Sequence, residues 1–148
     1  MDTNPYNRVA NTWIADATEE LTAALDALTR PQVWPPRFVV YHLQQATEKA
    51  LKAALIFGRT GRFEATHNLD LLVKALPNDG TWATREKYPN LSALSAHATE
   101  TRYLADNAPV TRQEAERAAH VAIRVIRSIV RDMAAHGFVR KGVDGQTR

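Results

Sequence analysis

The sequence predicts an all-α fold, an up-and-down bundle of four to five helices in a single domain. Three observations carry this reading. Apolar residues recur at helical spacing along nearly the whole chain, and no segment alternates as a strand would. Proline, glycine and cap residues fall between the apolar runs, where helices should start and stop. At 148 residues, with 45% apolar and 24% charged side chains, the chain can bury one ordinary core.

The first helix should begin near Pro5, a favourable first-turn residue, with Asn4 as its cap. Its apolar stripe reads Val9, Trp13, Ala17, Leu21, Leu25 and Leu28, and "RPQVWPP" ends it. A second helix runs from Pro36 to Phe57 and stops before the glycines of "GRTGR". The third, in "THNLDLLVKAL", takes Thr66 as cap and buries Leu69, Leu72, Val73 and Leu76. "TWATREKYP" reads as mostly loop. A fourth helix follows from about Asn90, burying Leu91, Leu94, Ala98 and Leu104.

The last helix opens on a capping box, Thr111 with Glu114, and continues through Val121, Val125, Ile129 and Met133 to Gly137. Residues 1–138 are thus expected to form the domain. The segment 139–148, "VRKGVDGQTR", has nothing obvious to bury and reads as a disordered tail.

Composition narrows the chemistry. Without cysteine there are neither disulfides nor thiolate metal sites. The formal net charge of +3 permits contact with phosphates without demanding it. No apolar run reaches the roughly 18 residues of a membrane span, and the start does not resemble a signal peptide. A cytoplasmic protein with no membrane association is expected. "FGRTGR" lacks the lysine and spacing of a phosphate loop, and no H-E-x-x-H pair or nucleophile elbow occurs. No metal or cofactor is expected.

The second helix carries the least ordinary surface. His42, Gln45, Lys49 and Lys52 fall within an arc of roughly 80°. Leu43, Ala46, Ala50, Ala54 and Phe57 lie opposite, and Glu48 sits at the edge of the polar arc, placed to pair with Lys52 at i+4. Packing and one ion pair account for much of this helix. His42 and Gln45 need a further partner or a purpose.

Here the residues carry a resemblance. "HLQQATEKALKAAL", then "THNLDLL", then "TRYL" resemble the HEPN family (higher eukaryotes and prokaryotes nucleotide-binding). Its members often show an H-x-Q-Q-A-x-E-K-A-L-K-A helix, a T-H-D-L segment and an R-Y pair. These match His42 to Ala53, Thr66 to Leu69, and Arg102 with Tyr103, with Asn68 in place of the usual Asp. The resemblance implies a small helical bundle, commonly a homodimer. It also implies binding of a nucleotide or RNA or, in many members, metal-independent RNA cleavage. Such proteins often act as toxins beside a nucleotidyltransferase that serves as antitoxin.

The family's ribonucleases use an Arg followed, four to six residues later, by His. Cleavage through the 2′-hydroxyl needs a base and an acid, roles that suit His, and an Arg to stabilise charge on the phosphate. The four-residue gap occurs at Arg37–His42, Arg62–His67 and Arg131–His136. The first pair points apart on one helix; the second spans the break before helix three. The third has the polar Asp132 after its Arg but falls late in the chain. At Arg102 the residue five on is Asn107. The signature is therefore displaced or absent, and three readings stay open: a nucleotide- or RNA-binding protein, an endoribonuclease toxin, and a non-catalytic interaction module.

If there is a site, it lies where the second helix meets the start of the third, near Arg102 and Tyr103. His67 and Arg62 are the catalytic candidates, and His42, Gln45, Lys49, Lys52, Arg102 and Tyr103 the ligand-binding ones. Helix-start amides with Lys49, Lys52 and Arg102 are expected to make a phosphate-sized positive pocket. Arg117, His120, Arg124, Arg127 and Arg131 form a basic stripe on the last helix, a solvated face by default.

Overall fold

A computed structural model of the chain describes residues 4–58, 66–94 and 109–141. Its helices are α1 (Asn7–Leu28), α2 (Pro36–Phe57), α3 (Leu69–Ala75), α4 (Ala83–Lys87) and α5 (Arg112–Ala135), with a further helical turn at 92–94. Every regular element among the described residues is helical. None of these helices is long and apolar enough to cross a membrane.

α2 is the centre of the bundle, packed along α1 on one side and α5 on another, with α3 against it. Small residues make this possible. Ala46, Ala50, Ala53 and Ala54 of α2 are fully buried, as are Ala10 and Ala24 of α1 and Ala115, Ala118 and Ala122 of α5. Their single methyl groups let helix backbones approach closely. Leu43, Leu51, Leu55 and Phe57 fill the remaining volume, with Ile129 and Met133 of α5 in the same core.

The proline and cap signals of α2 and α5 hold. Pro36 opens α2, and the Thr111 hydroxyl accepts the amide of Glu114 at 3.1 Å to open α5. Gly137, at φ +95°, closes α5 in a conformation that side-chain-bearing residues avoid.

Four expectations need correction. α1 starts at Asn7 rather than at Pro5; Asn4 instead accepts the amide of Tyr6 at 2.8 Å in the preceding turn. The buried face of α1 is Ala10, Ile14, Ala17, Ala24 and Ala27. Val9 is 46% exposed, while Trp13, Leu21, Leu25 and Leu28 pack only at the flank. The helix is turned so that four alanines and Ile14 meet the bundle, with Ala17 alone kept from the expected stripe. The cap of α3 is Asn68, whose Oδ1 accepts from the amide of Leu71 at 3.2 Å; Thr66 accepts from Asn68.

The fourth correction concerns "TWATREKYP", which contains α4. The buried Asp132 carboxylate accepts the Thr84 amide at 2.9 Å and its hydroxyl at 2.7 Å, and Ser128 reaches the same hydroxyl. A five-residue helix cannot hold itself; α5 supplies its anchor.

The segment after Gly137 is held as far as Lys141. Phe138 is buried edge-on against Phe57. Asn7 and Asn11, one turn apart on α1, donate to the Val139 carbonyl at 3.0 and 2.8 Å. Their side-chain oxygens accept the amides of Val139 and Lys141, both at 2.9 Å. Residues 142–148 lie outside the described residues.

Candidate functional site

The polar face of α2 resolves into two clusters, each built on a carboxylate. In the first, Glu20 of α1 binds two groups of α2: Oε2 meets His42 Nδ1 at 2.5 Å, and Oε1 accepts from Lys49 Nζ at 3.2 Å. His42 and Lys49 are two turns apart, so one acid can span them. The imidazole is packed at 4.3 Å from the Phe38 ring, which itself stacks on Trp34 at 4.4 Å. Burial pushes the Glu20 carboxyl up, but the bonds from His42 and Lys49 and their charges outweigh it and hold it below the ordinary 4.5. A lowered carboxyl stabilises the fold fully above that ordinary value, and loses its contribution as pH falls through the depressed one.

In the second cluster, Glu48 is the hub. Its Oε2 accepts from Lys52 Nζ at 2.8 Å, with both side chains over nine-tenths buried. Gln44 donates to Oε1 at 3.2 Å and reaches the His67 carbonyl at 3.4 Å, while Gln45 donates to Gln44 Oε1 at 2.9 Å. His67 Nδ1 stands 3.1 and 3.0 Å from the two Glu48 oxygens. The His67 side chain is nonetheless 79% exposed. In the tautomer with its hydrogen on Nδ1, that nitrogen donates to the carboxylate beneath and Nε2 is the ring's acceptor.

This geometry brings His67, Lys52 and Gln45 together through Glu48 and Gln44, and His42 with Lys49 through Glu20. Arg62, Arg102 and Tyr103, expected at the same corner, lie outside the described residues. The Lys49 and Lys52 ammonium groups, expected to form a positive pocket, are each paired with a carboxylate, and the buried Lys52 requires that counter-charge. The Leu71 amide at the start of α3 is already bonded to Asn68.

Two positions that build the site, Glu20 and Glu48, are not among the sequence candidates. Glu48 is signalled by its i+4 spacing to Lys52. Glu20 has a weaker signal: two cationic groups seven residues apart on one face need an acid opposite, and α1 offers "EE" there.

The other Arg–His pairs are less suited to chemistry. His42 of the Arg37 pair is engaged with Glu20. In the Arg131 pair, the polar Asp132 between them is buried and committed to Thr84. His136 itself lies flat on Trp82, with ring centroids 4.4 Å apart, and bonds the Asp132 carbonyl and Thr81 at 2.8 Å each. It borders a cleft with Asn4, Gly58, Asp79 and Trp82. The bonds from Thr81 hold the exposed Asp79 carboxyl below its ordinary range. No three His, Asp or Glu side chains come together as metal donors among the described residues.

Comparison with known proteins agrees with this architecture. The crystal structure of TT1696 from Thermus thermophilus is similar, with a TM-score of 0.62 and 24% sequence identity, covering 83% of this chain and 97% of that chain. That likeness concerns the fold. None of the curated proteins matches the chain. The sequence profile of the HEPN domain matches residues 10–133, from the first turn of α1 to the last of α5. The chain therefore belongs to the HEPN-domain family, and its function is nucleotide- or RNA-related in general terms.

Proposed function

We propose that the chain binds a nucleotide or RNA at the surface where α2 meets α3, with His67 as the group that meets the ligand. One observation carries this: an outward-facing imidazole pinned at Nδ1 by a buried carboxylate. His67 is oriented yet left open.

The same observation favours RNA cleavage as the second reading. In that role Nε2 takes the proton of a 2′-hydroxyl, and the oxygen attacks the adjacent phosphorus. A 2′,3′-cyclic phosphate forms, and the departing 5′ oxygen takes a proton from an acid. Glu48 holds the ring for this step and balances the imidazolium that forms, as a buried carboxylate does for other catalytic histidines. Arg62 is the proposed phosphate partner. Gln45, His42, Lys49, Lys52, Arg102 and Tyr103 are proposed to frame the ligand.

Pairing with a nucleotidyltransferase antitoxin and assembly as a homodimer in the cytoplasm belong to this proposal. Val33, Trp34 and Tyr41, exposed around the start of α2, are the apolar surface that a second copy would cover.

The test is a His67→Ala variant assayed with labelled single-stranded RNA and with mononucleotides. Binding should weaken at least about tenfold, and any EDTA-resistant cleavage should fall by about 100-fold or more, with the thermal midpoint unchanged. Unchanged ligand affinity in the folded variant would make His67 structural and overturn the proposal.

A further inference from the structure

The outer face of α5 carries a regular strip of cations. Arg117, His120, Arg124, Arg127 and Arg131 are all exposed and recur at alternating steps of three and four residues. At helical geometry they occupy an arc of roughly 80° and a length of about 21 Å. Several cations outside the strip are answered by acids in close pairs: Lys49 by Glu20, Lys52 by Glu48, Arg30 by Asp26, Arg112 by Glu116. No carboxylate among the described residues pairs with any of these four arginines. The two acids adjacent to the strip in sequence are engaged elsewhere, Glu116 with Arg112 at 3.3 Å and the buried Asp132 with Thr84.

Four guanidinium groups without a carboxylate partner on one ridge repel each other. We propose that this ridge is a docking surface for the phosphodiester backbone of a single-stranded nucleic acid. The inference rests on the nucleic-acid reading above and sharpens it: the ligand is a polynucleotide that extends beyond the His67 site, not a mononucleotide. Charge complementarity carries the proposal. Every fixed positive group on the ridge is an arginine, whose planar fork matches phosphate oxygens. A membrane-bound helix needs large apolar side chains beside its basic face, and a protein interface needs aromatic or aliphatic anchors. The exposed large apolar residues are Tyr6, Val9, Val33, Trp34, Tyr41 and Leu71 among the described residues, none of them on α5.

The experiment measures binding of an oligouridylate of about 20 nucleotides against salt concentration. The probe is titrated with the wild-type chain, with Arg117→Gln/Arg124→Gln/Arg127→Gln/Arg131→Gln, and with the same four changed to Lys. Released counterions give a log–log slope of about 0.7 per phosphate contact on single strands, so the Gln variant should lose about 3 units of slope. The Lys variant should keep most of it. Should the fourfold Gln variant fail to fold, the Arg117/Arg124 and Arg127/Arg131 pairs should each remove about half.

A Gln variant with wild-type slope and affinity overturns the ridge. So does displacement of the RNA by polyglutamate or anionic lipid vesicles as effective as that by unlabelled RNA, since the occupant would then be an acidic protein or a membrane. His67→Ala separates the two proposals. If it binds like wild type while the Gln variant loses slope, the ridge stands and the His67 site falls. If the wild-type chain does not bind at low salt, both fall.

Discussion

Glu48→Ala should destabilise the protein by about 3–5 kcal/mol, the cost expected when one partner of a buried ion pair is removed. Lys52 is only 7% exposed and lies 2.8 Å from the carboxylate. Without Glu48 its ammonium stays in the interior lacking this counter-charge, and Gln44 loses an acceptor. The loss is not the strength of the bridge but the penalty of leaving a charge behind. Glu48→Gln/Lys52→Met, which removes both charges at similar volume, should therefore recover most of the stability while still freeing His67. Denaturant unfolding at neutral pH measures both. A loss below about 1 kcal/mol for Glu48→Ala is what a solvated surface pair would give, and would contradict the burial described.

Ala50→Leu should cost about 2–3 kcal/mol, at the upper end for added volume in a packed core. Ala50 is fully buried midway along the central helix, and Ala46, Ala53 and Ala54 beside it are equally buried. The added isobutyl bulk has no space unless a neighbouring helix moves outward, and α2 is packed on several sides. A volume-conserving change nearby, Leu43→Met, should cost less than about 1.5 kcal/mol. Equal losses for the two variants would show that close helix approach is not what the alanines provide.

How much of this is legible in the sequence follows from the range of each interaction. α2 and α5 are readable because their limits are local: Pro36, the glycine pair, Thr111 with Glu114, and Gly137. The Glu48–Lys52 pair is readable for the same reason, being one turn apart. The orientation of α1 is not. A stripe search weights bulky residues, so Val9 and Leu21 outscore Ala10 and Ala24, although the small residues are the ones that close packing requires. α4 is hidden because its support comes from Asp132 and Ser128, far along the chain. The site divides in the same way. His67, His42 and Lys49 can be nominated from the family motif, but their partners Glu48 and Glu20 lie 19, 22 and 29 residues away and depend on the fold.

The central claim is that His67, held by Glu48, is where the nucleic acid meets the protein. The ring resonances of the five histidines, followed by NMR as single-stranded RNA is added, test it most directly. His67 should shift progressively and saturate with the binding isotherm, and the assignment should vanish in His67→Ala. RNA binding to saturation with the His67 ring unmoved would contradict the account.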